Sequence, residues 1–387
     1  MRAVLLLLAF TVMSCARPSR VAPVPAVSFA TDTVRAQLLR DGVTHWFLYA
    51  PSGPWAIHAL VVDRDACYSA RAVKGADGAI GREKTSVLLE RLRRSADVAG
   101  GVNADFFLFT PPGVPTNLLV SRGRVVSGPS SQPVLAFDSA GAPHLGTFRV
   151  EGSLAATAHG RFPIAAWNRA APSGIALYDD AWGASTDTLS GGVEVVVDGR
   201  GAGRVAAIDT LTSGVAIPPG RVALVGRGAE ARAALLALRV GDSVRAQVAL
   251  RPFHPLEALG GRPLLLRDST IVAGIDSAGG AGFAAGRHPR TAVGLARNGR
   301  RLLLVAVDGR QKPYSDGMTL RELAGVMRSL GARDAINLDG GGSTTLVYSE
   351  PENAGTLRIA NRPSDPAGER PVGNALAVVR GCEGRSR

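Results

Sequence analysis

Short apolar runs, more than helical repeats, set the pattern of this chain. "HWFLYA" and "IHALVVD", and farther on "GVEVVVDG", "RVAAID" and "RVALVGRG", predict strands broken by Gly and Pro. The 3.6-residue period surfaces in few places. Lys84 to Arg94 is predicted helical with Val87, Leu88 and Leu92 on one face, and Ala229 to Leu238 reads as a short helical piece. "TLRELAGVMRSLG" places Leu320, Leu323, Met327 and Leu330 on one stripe, with Thr319 and Glu322 spelling a capping box and Gly331 where a C-terminal cap belongs. "GGAGFAAG" near Gly282 reads as a mobile loop. The pattern predicts an α+β protein with mixed β-sheets, flanking helices and a β-rich lobe at about 151–250.

Between about 300 and 348 the pattern is sharpest. "RRLLLVAVDGR" predicts a buried strand ending in Asp308, and "DAINLD" a second one ending in Asp339, with the capped helix between them. Such a βαβ unit implies a parallel crossover, so both aspartates sit at carboxyl ends on one edge of the sheet. As neighbouring strands about 4.8 Å apart, they would bring the carboxylates within roughly 5 to 10 Å. Paired carboxylates act on glycosidic bonds in that range.

After Asp339 come "GGGSTT". Three glycines lose backbone entropy on folding without side-chain packing in return, so the loop is expected to gain by close approach of a ligand. Its successive N–H groups, with the hydroxyls of Ser343, Thr344 and Thr345, would suit phosphate or another anion. No lysine follows the glycines, which excludes a Walker loop. The alternative is a plain connection in which Asp339 accepts bonds from its own loop.

The opening "MRAVLLLLAFTVMSC" has one positive charge and an apolar run too short to span a bilayer, as in a secretion signal. Its end at Cys15 resembles the bacterial lipoprotein signal, so residues 1–15 are expected to be a lipoprotein-type leader and Cys15 a lipid anchor. The Pro- and Ala-rich stretch 16–30 is expected to be a tether, and 31–387 a single domain. Cys67 and Cys382 form an even pair that an exporting, oxidising compartment would join.

The net charge of +12 comes almost wholly from arginine, since the chain has three lysines. Without a lysine-rich tail, zinc-finger spacing or basic aromatic helix, this charge suits an anionic substrate or an acidic envelope surface better than nucleic acid. No GxSxG, HExxH or CxxC occurs, and the six histidines are scattered, which argues against a serine triad or zinc.

Taken in order, "GVNADFF", "GGRPLLL", "HPRTAVG", "LLVAVDGR", "GMTLRELAGVMRSLGARDAINLDGGGSTT" and "ERPVGNALAVV" resemble the phosphodiester glycosidase family, across roughly Val61 to Arg380. The resemblance implies hydrolysis of a sugar-1-phosphodiester, N-acetylglucosamine-1-phosphodiester-like, releasing the sugar and leaving phosphate on the other alcohol. "NADFF" departs by carrying Ala104 where the family often has glycine.

Positions matching the family motifs are Asn103, Arg290, Thr291, Asp308, Arg310, Asp339, Gly340, Gly341, Gly342, Ser343, Glu369 and Arg370; Asp105, Asn337 and Thr344 join them as candidate substrate-binding residues. Asp339, then Asp308, is expected to act at the anomeric carbon, with Arg290, Arg310 and Arg370 gripping the phosphodiester. No cofactor is expected, although Asp105, Asp308 and Asp339 leave room for a hard divalent cation in an alternative metal-assisted phosphodiesterase. A non-catalytic envelope lipoprotein that binds polysaccharide is the other alternative. Expected partners are an anionic glycan, of the cell envelope or an exopolysaccharide, and a membrane reached through Cys15.

Overall fold

Strand pairing dominates the computed structural model, which describes residues 21–381 apart from 158, 212 and 352–354. Its described residues form an eight-stranded sheet, a closed seven-stranded barrel and two five-stranded sheets. The expected β-rich lobe is the barrel, running from Arg149–Ala156 to Ser243–Arg251, with helix Ala229–Leu236 packed on it.

The eight-stranded sheet carries the crossover unit, with one correction. Strands Arg301–Val307 and Asp334–Asn337 each pair antiparallel with Arg290–Ala296, which lies between them. They run parallel to each other, as expected, but are not neighbours. Their separation is therefore about two strand spacings, on the order of 10 Å. Helix Leu320–Ser329 starts at the capping box of Thr319 and Glu322 and buries Leu320, Leu323, Ala324, Val326 and Met327. A side chain on Gly294 would start 2.7 Å from the Met327 methyl, so that glycine lets the helix sit close to the sheet.

The sheet Leu357–Ile359, Leu346–Ser349, Val98–Asn103, Asn374–Arg380, Tyr68–Lys74 shares an apolar core with the eight-stranded one, including Leu60 and Leu304 from one and Val102, Leu346 and Leu376 from the other. Helix Thr85–Arg93 covers its other side through Leu88, Leu89 and Leu92, while Val87 is exposed. The buried stripe follows Thr85, Leu88, Leu89, Leu92, the i, i+3, i+4, i+7 spacing, and Val87 falls off it.

Two further expectations change. Ala22, Val24, Val27 and Phe29 pack on the core beneath helix Leu320–Ser329, and the Trp46 indole donates to the Ala22 carbonyl at 2.7 Å, so the expected tether is attached from Val21 onward. The "GGAGFAAG" loop contains a short helix, Ala281–Ala284, whose Phe283 meets Phe106 and lies under Arg290. Cys15 and Cys382 lie outside the described residues. The Gly381 N–H donates to the Cys67 carbonyl at 2.8 Å, which brings the two ends of the fold together.

Candidate active site

The turn after Asp339 is built by residues from both sheets. Asn103, at the end of Val98–Asn103, donates from its amide to the Asp339 carbonyl at 2.6 Å, and its amide oxygen accepts from the Thr291 hydroxyl at 2.8 Å and the Thr345 N–H at 3.0 Å. At the far end of the turn, Asn361 donates to both the Thr344 carbonyl at 3.0 Å and the Asp308 carboxylate at 3.1 Å. Asp339 and Asp308 thus flank the same Gly-Gly-Gly-Ser-Thr turn.

The glycines answer to the protein itself. Gly341 has φ of +62°, a conformation that disfavours a side chain, and a side chain on Gly342 would start 2.1 Å from the Asp365 carboxylate. The open anion nest expected from the sequence is not what forms. The N–H groups of Gly340, Gly341, Ser343, Thr344 and Thr345 are donated to Asp339, Pro289, Gly340, Gly341 and Asn103 respectively.

The carboxylates in and around this turn differ in exposure, with Asp365 as well as Asp339 partly exposed. Asp339 is partly exposed, whereas Asp105 and Asp308 are buried. Burial pushes Asp339 up to about 6, against the Ser343 hydroxyl, the Gly340 N–H and the charges of Arg370 and Arg262. Burial likewise raises Asp308 to about 6, opposed by Asn361, the Arg362 N–H and Tyr314. Asp105 is pushed to about 7 by burial and further by the negative charge of Asp339, with the Asn117 N–H and Arg169 pulling the other way. Asp339 thus acts electrostatically on Asp105.

Asp308 is walled in. It accepts from Asn361, from the Arg362 N–H at 2.9 Å and from the Tyr314 hydroxyl at 3.2 Å, with the neutral His58 ring 3.7 Å away. Burial, then the charges of His45 and Arg362, lowers His58 to about 3. This geometry makes Asp308 an anchor for the 361–362 segment, and it offers no exposed oxygen to a ligand.

Among the arginines, Arg290 corrects the expectation. Its guanidinium donates to the carbonyls of Met318, Phe283 and Gly286 and lies 5.0 Å over the Phe283 ring, so it holds the 283–288 segment in place. Burial, then the Arg310 charge, lowers it to about 10. Arg310 is exposed, oriented by His288 at 3.3 Å, and close enough that a side chain on Gly341 would begin 3.2 Å from it. Arg370 forms a two-bond pair with Asp365 at 2.8 and 3.0 Å.

Sequence reasoning overlooked Arg262 as a site residue. It is exposed, lies 4.9 Å over the Phe106 ring, makes no ion pair among the described residues, and acts on Asp339. Asn337 holds it, donating to the Arg262 carbonyl at 2.6 Å. The signal was present in "GGRPLLL", read for its resemblance but not for its charge.

Glu369 faces elsewhere. Its two oxygens accept from the N–H and hydroxyl of Ser86 at 2.7 and 2.6 Å, in the first turn of helix Thr85–Arg93, which has no side-chain cap of its own. A carboxylate at a helix N-terminus complements the free N–H groups and the helix dipole, which explains this residue without a ligand.

The chain is similar to a hypothetical protein from Synechocystis, at 25% identity and a TM-score of 0.75 over 90% of this chain, and spans 64% of that protein's length. It is also similar to a protein described as exported from Burkholderia pseudomallei K96243, at 26% identity and a TM-score of 0.66, covering 84% of this chain and 74% of that one. A third similar structure is the zebrafish N-acetylglucosamine-1-phosphodiester alpha-N-acetylglucosaminidase catalytic domain auto-inhibited by its pro-peptide, at 17% identity and a TM-score of 0.46, covering 92% and 84%. No curated protein matches the sequence. The phosphodiester glycosidase family model matches residues 191–379, the span that holds Arg262, Arg310, Asp339 and its glycine turn, and this span is similar to phosphodiester glycosidases.

Proposed function

We propose that this protein hydrolyses sugar-1-phosphodiesters at the anomeric C–O bond, with Asp339 as the reacting carboxylate. The observation that carries this is exposure: Asp105 and Asp308 are buried and Asp365 is held in a two-bond pair by Arg370, which leaves Asp339 as the partly exposed carboxylate beside the turn that Arg310 and Arg262 border. Water supplies the new hydroxyl on C1, and the C1–O electron pair leaves with the phosphate, which remains on the other alcohol. Asp339 either attacks C1 and forms a glycosyl ester that water then opens, or takes a proton from the attacking water. Phosphate is a good leaving group, so charge neutralisation by Arg310 and Arg262 matters more than acid assistance. Arg370 reaches the site with part of its charge held by Asp365.

In this reading Asn103, Thr291, Asn337, Asp308 and Arg290 position the turn and its arginines, and Gly342 and Ser343 are buried within the turn. Metal-assisted cleavage of the P–O bond is less well supported. Asp105 and Asp308 are already ringed by protein donors, and among the described residues no three His, Cys, Asp or Glu groups gather as a metal site would need.

The leader and Cys15 support export with a lipid anchor, and action on an envelope or exopolysaccharide glycan suits the +12 charge. A Cys67–Cys382 bond belongs to the same proposal, supported by the bonded state of Cys67 and the Gly381 contact. The test is a panel of synthetic sugar-1-phosphodiesters followed by proton NMR. Release of free sugar by the wild type and its loss in Asp339→Asn support the reading; binding without release favours a polysaccharide-binding protein.

A further inference from the structure

The turn after Asp339 has a far end, and an arginine stands there that the mechanism leaves unused. Asn361 donates to the Thr344 carbonyl at 3.0 Å, and the next residue, Arg362, gives its N–H to Asp308 at 2.9 Å. Farther along the same loop, the Asp365 carboxylate lies against Gly342. Arg362 is therefore bracketed by two residues that touch the turn, and its side chain is exposed.

The guanidinium is held in place without being paired. It lies over the Tyr314 ring with its central carbon 3.9 Å from the centroid, which is van der Waals contact. Tyr314 is fixed in turn, its hydroxyl donating to Asp308 at 3.2 Å and its ring stacked on Tyr49 with centroids 6.3 Å apart. Gln311 pins the Arg362 backbone by donating to its carbonyl at 2.9 Å. Among the described residues the guanidinium forms no hydrogen bond and no ion pair. Asp308, on which its charge acts, is fully buried, with its oxygens taken by Asn361, the Arg362 N–H and Tyr314. A guanidinium stacked on a ring keeps its N–H edges open, and one already restrained loses little freedom when an anion docks. An ordinary surface arginine has the open edges without the restraint.

Order along the turn says which part of a substrate arrives there. Asp339, with Arg370 and Arg262 acting on it, is one end; Arg310 borders Gly341; Arg362 stands beyond Thr344, held by Gln311, the neighbour of Arg310. A sugar carbon at Asp339 and a phosphodiester at Arg310 put the esterified alcohol at Arg362. We propose that Arg362, stacked on Tyr314, binds an anionic group on the alcohol side of the phosphodiester, so that the substrate carries a second negative charge beyond the bond that is cleaved. This rests on the reading that a sugar-1-phosphodiester lies beside Asp339, and adds to it the class of alcohol. Carboxylate and phosphate both match the guanidinium fork.

The test uses one sugar-1-phosphate joined to three alcohols of similar shape: glycerol, glycerate and glycerol 3-phosphate. For at least one of the two charged esters kcat/KM is expected to exceed that for the glycerol ester by about tenfold, the gain of one charge-assisted contact, and the two charged arms separate carboxylate from phosphate. Arg362→Gln keeps the backbone N–H to Asp308 and is expected to bring that ratio close to one. Because each ratio is internal to one variant, a loss of folded protein does not move it. Equal kcat/KM for all three esters in the wild type, or an excess that survives in Arg362→Gln, overturns the proposal. Calorimetry reads the same ratio as binding, on Asp339→Asn with and without Arg362→Gln, and equal binding of the three esters likewise overturns it. If the wild type turns over none of them but a charged ester binds more tightly through Arg362, the hydrolytic reading falls and this one stands; turnover without preference does the reverse.

Discussion

The Asn103 amide donates to the Asp339 carbonyl at 2.6 Å, so a residue ending a strand of one sheet fixes the residue that follows a strand of the other. The same side chain satisfies Thr291 and Thr345. Asn103→Ala removes three bonds and leaves buried partners unpaired, which is expected to cost roughly 2 to 4 kcal/mol. Urea denaturation checks the loss, and sugar release should fall further than the folded fraction does.

Asp339 must be ionised to attack or to accept a proton. With its carboxyl raised to about 6, kcat/KM is expected to climb through an ascending limb near pH 6. Arg370 is one of the charges that lower it, so Arg370→Gln should move that limb to higher pH. A limb near pH 4 in the wild type, or no movement in the variant, would contradict the role.

Asp105 offers a stability test. Its folded value of about 7 lies above the unfolded value near 3.9, so the folded state holds the extra proton and stability is lost as pH rises through 7. Asp105→Asn removes that loss and is expected to stabilise the fold at pH 8 by roughly 2 to 4 kcal/mol, with no gain below about pH 4. Thermal melts across this range check the sign.

Glu369→Ala should lower stability by about 1 kcal/mol through loss of the cap on helix Thr85–Arg93. KM for a sugar-1-phosphodiester should stay the same, and a large rise in KM would return Glu369 to the ligand.

Local pattern made the Thr319 capping box, the helix after it and the Asp339 turn legible, because each is specified by contiguous residues. Strand order was not. Nothing near Val307 or Asp334 says that Arg290–Ala296 inserts between their strands, since that choice is made by pairing across the whole sheet. Asn361 and Arg262 escaped because each reaches the turn from a loop outside its contiguous motif, Asn361 from 17 residues beyond Thr344. Glu369 looked like a ligand residue because its true partner, Ser86, lies 283 positions away. Arg290 shows the converse, a motif arginine whose fork is filled by backbone carbonyls.

Which bond breaks is the most direct question to put to this protein. Hydrolysis of a sugar-1-phosphodiester in water enriched in oxygen-18, with both products read by mass spectrometry, is expected to place the label on the released sugar and none on the phosphate. Label on the phosphate would mean attack at phosphorus, and Asp339 would then not be acting at the anomeric carbon.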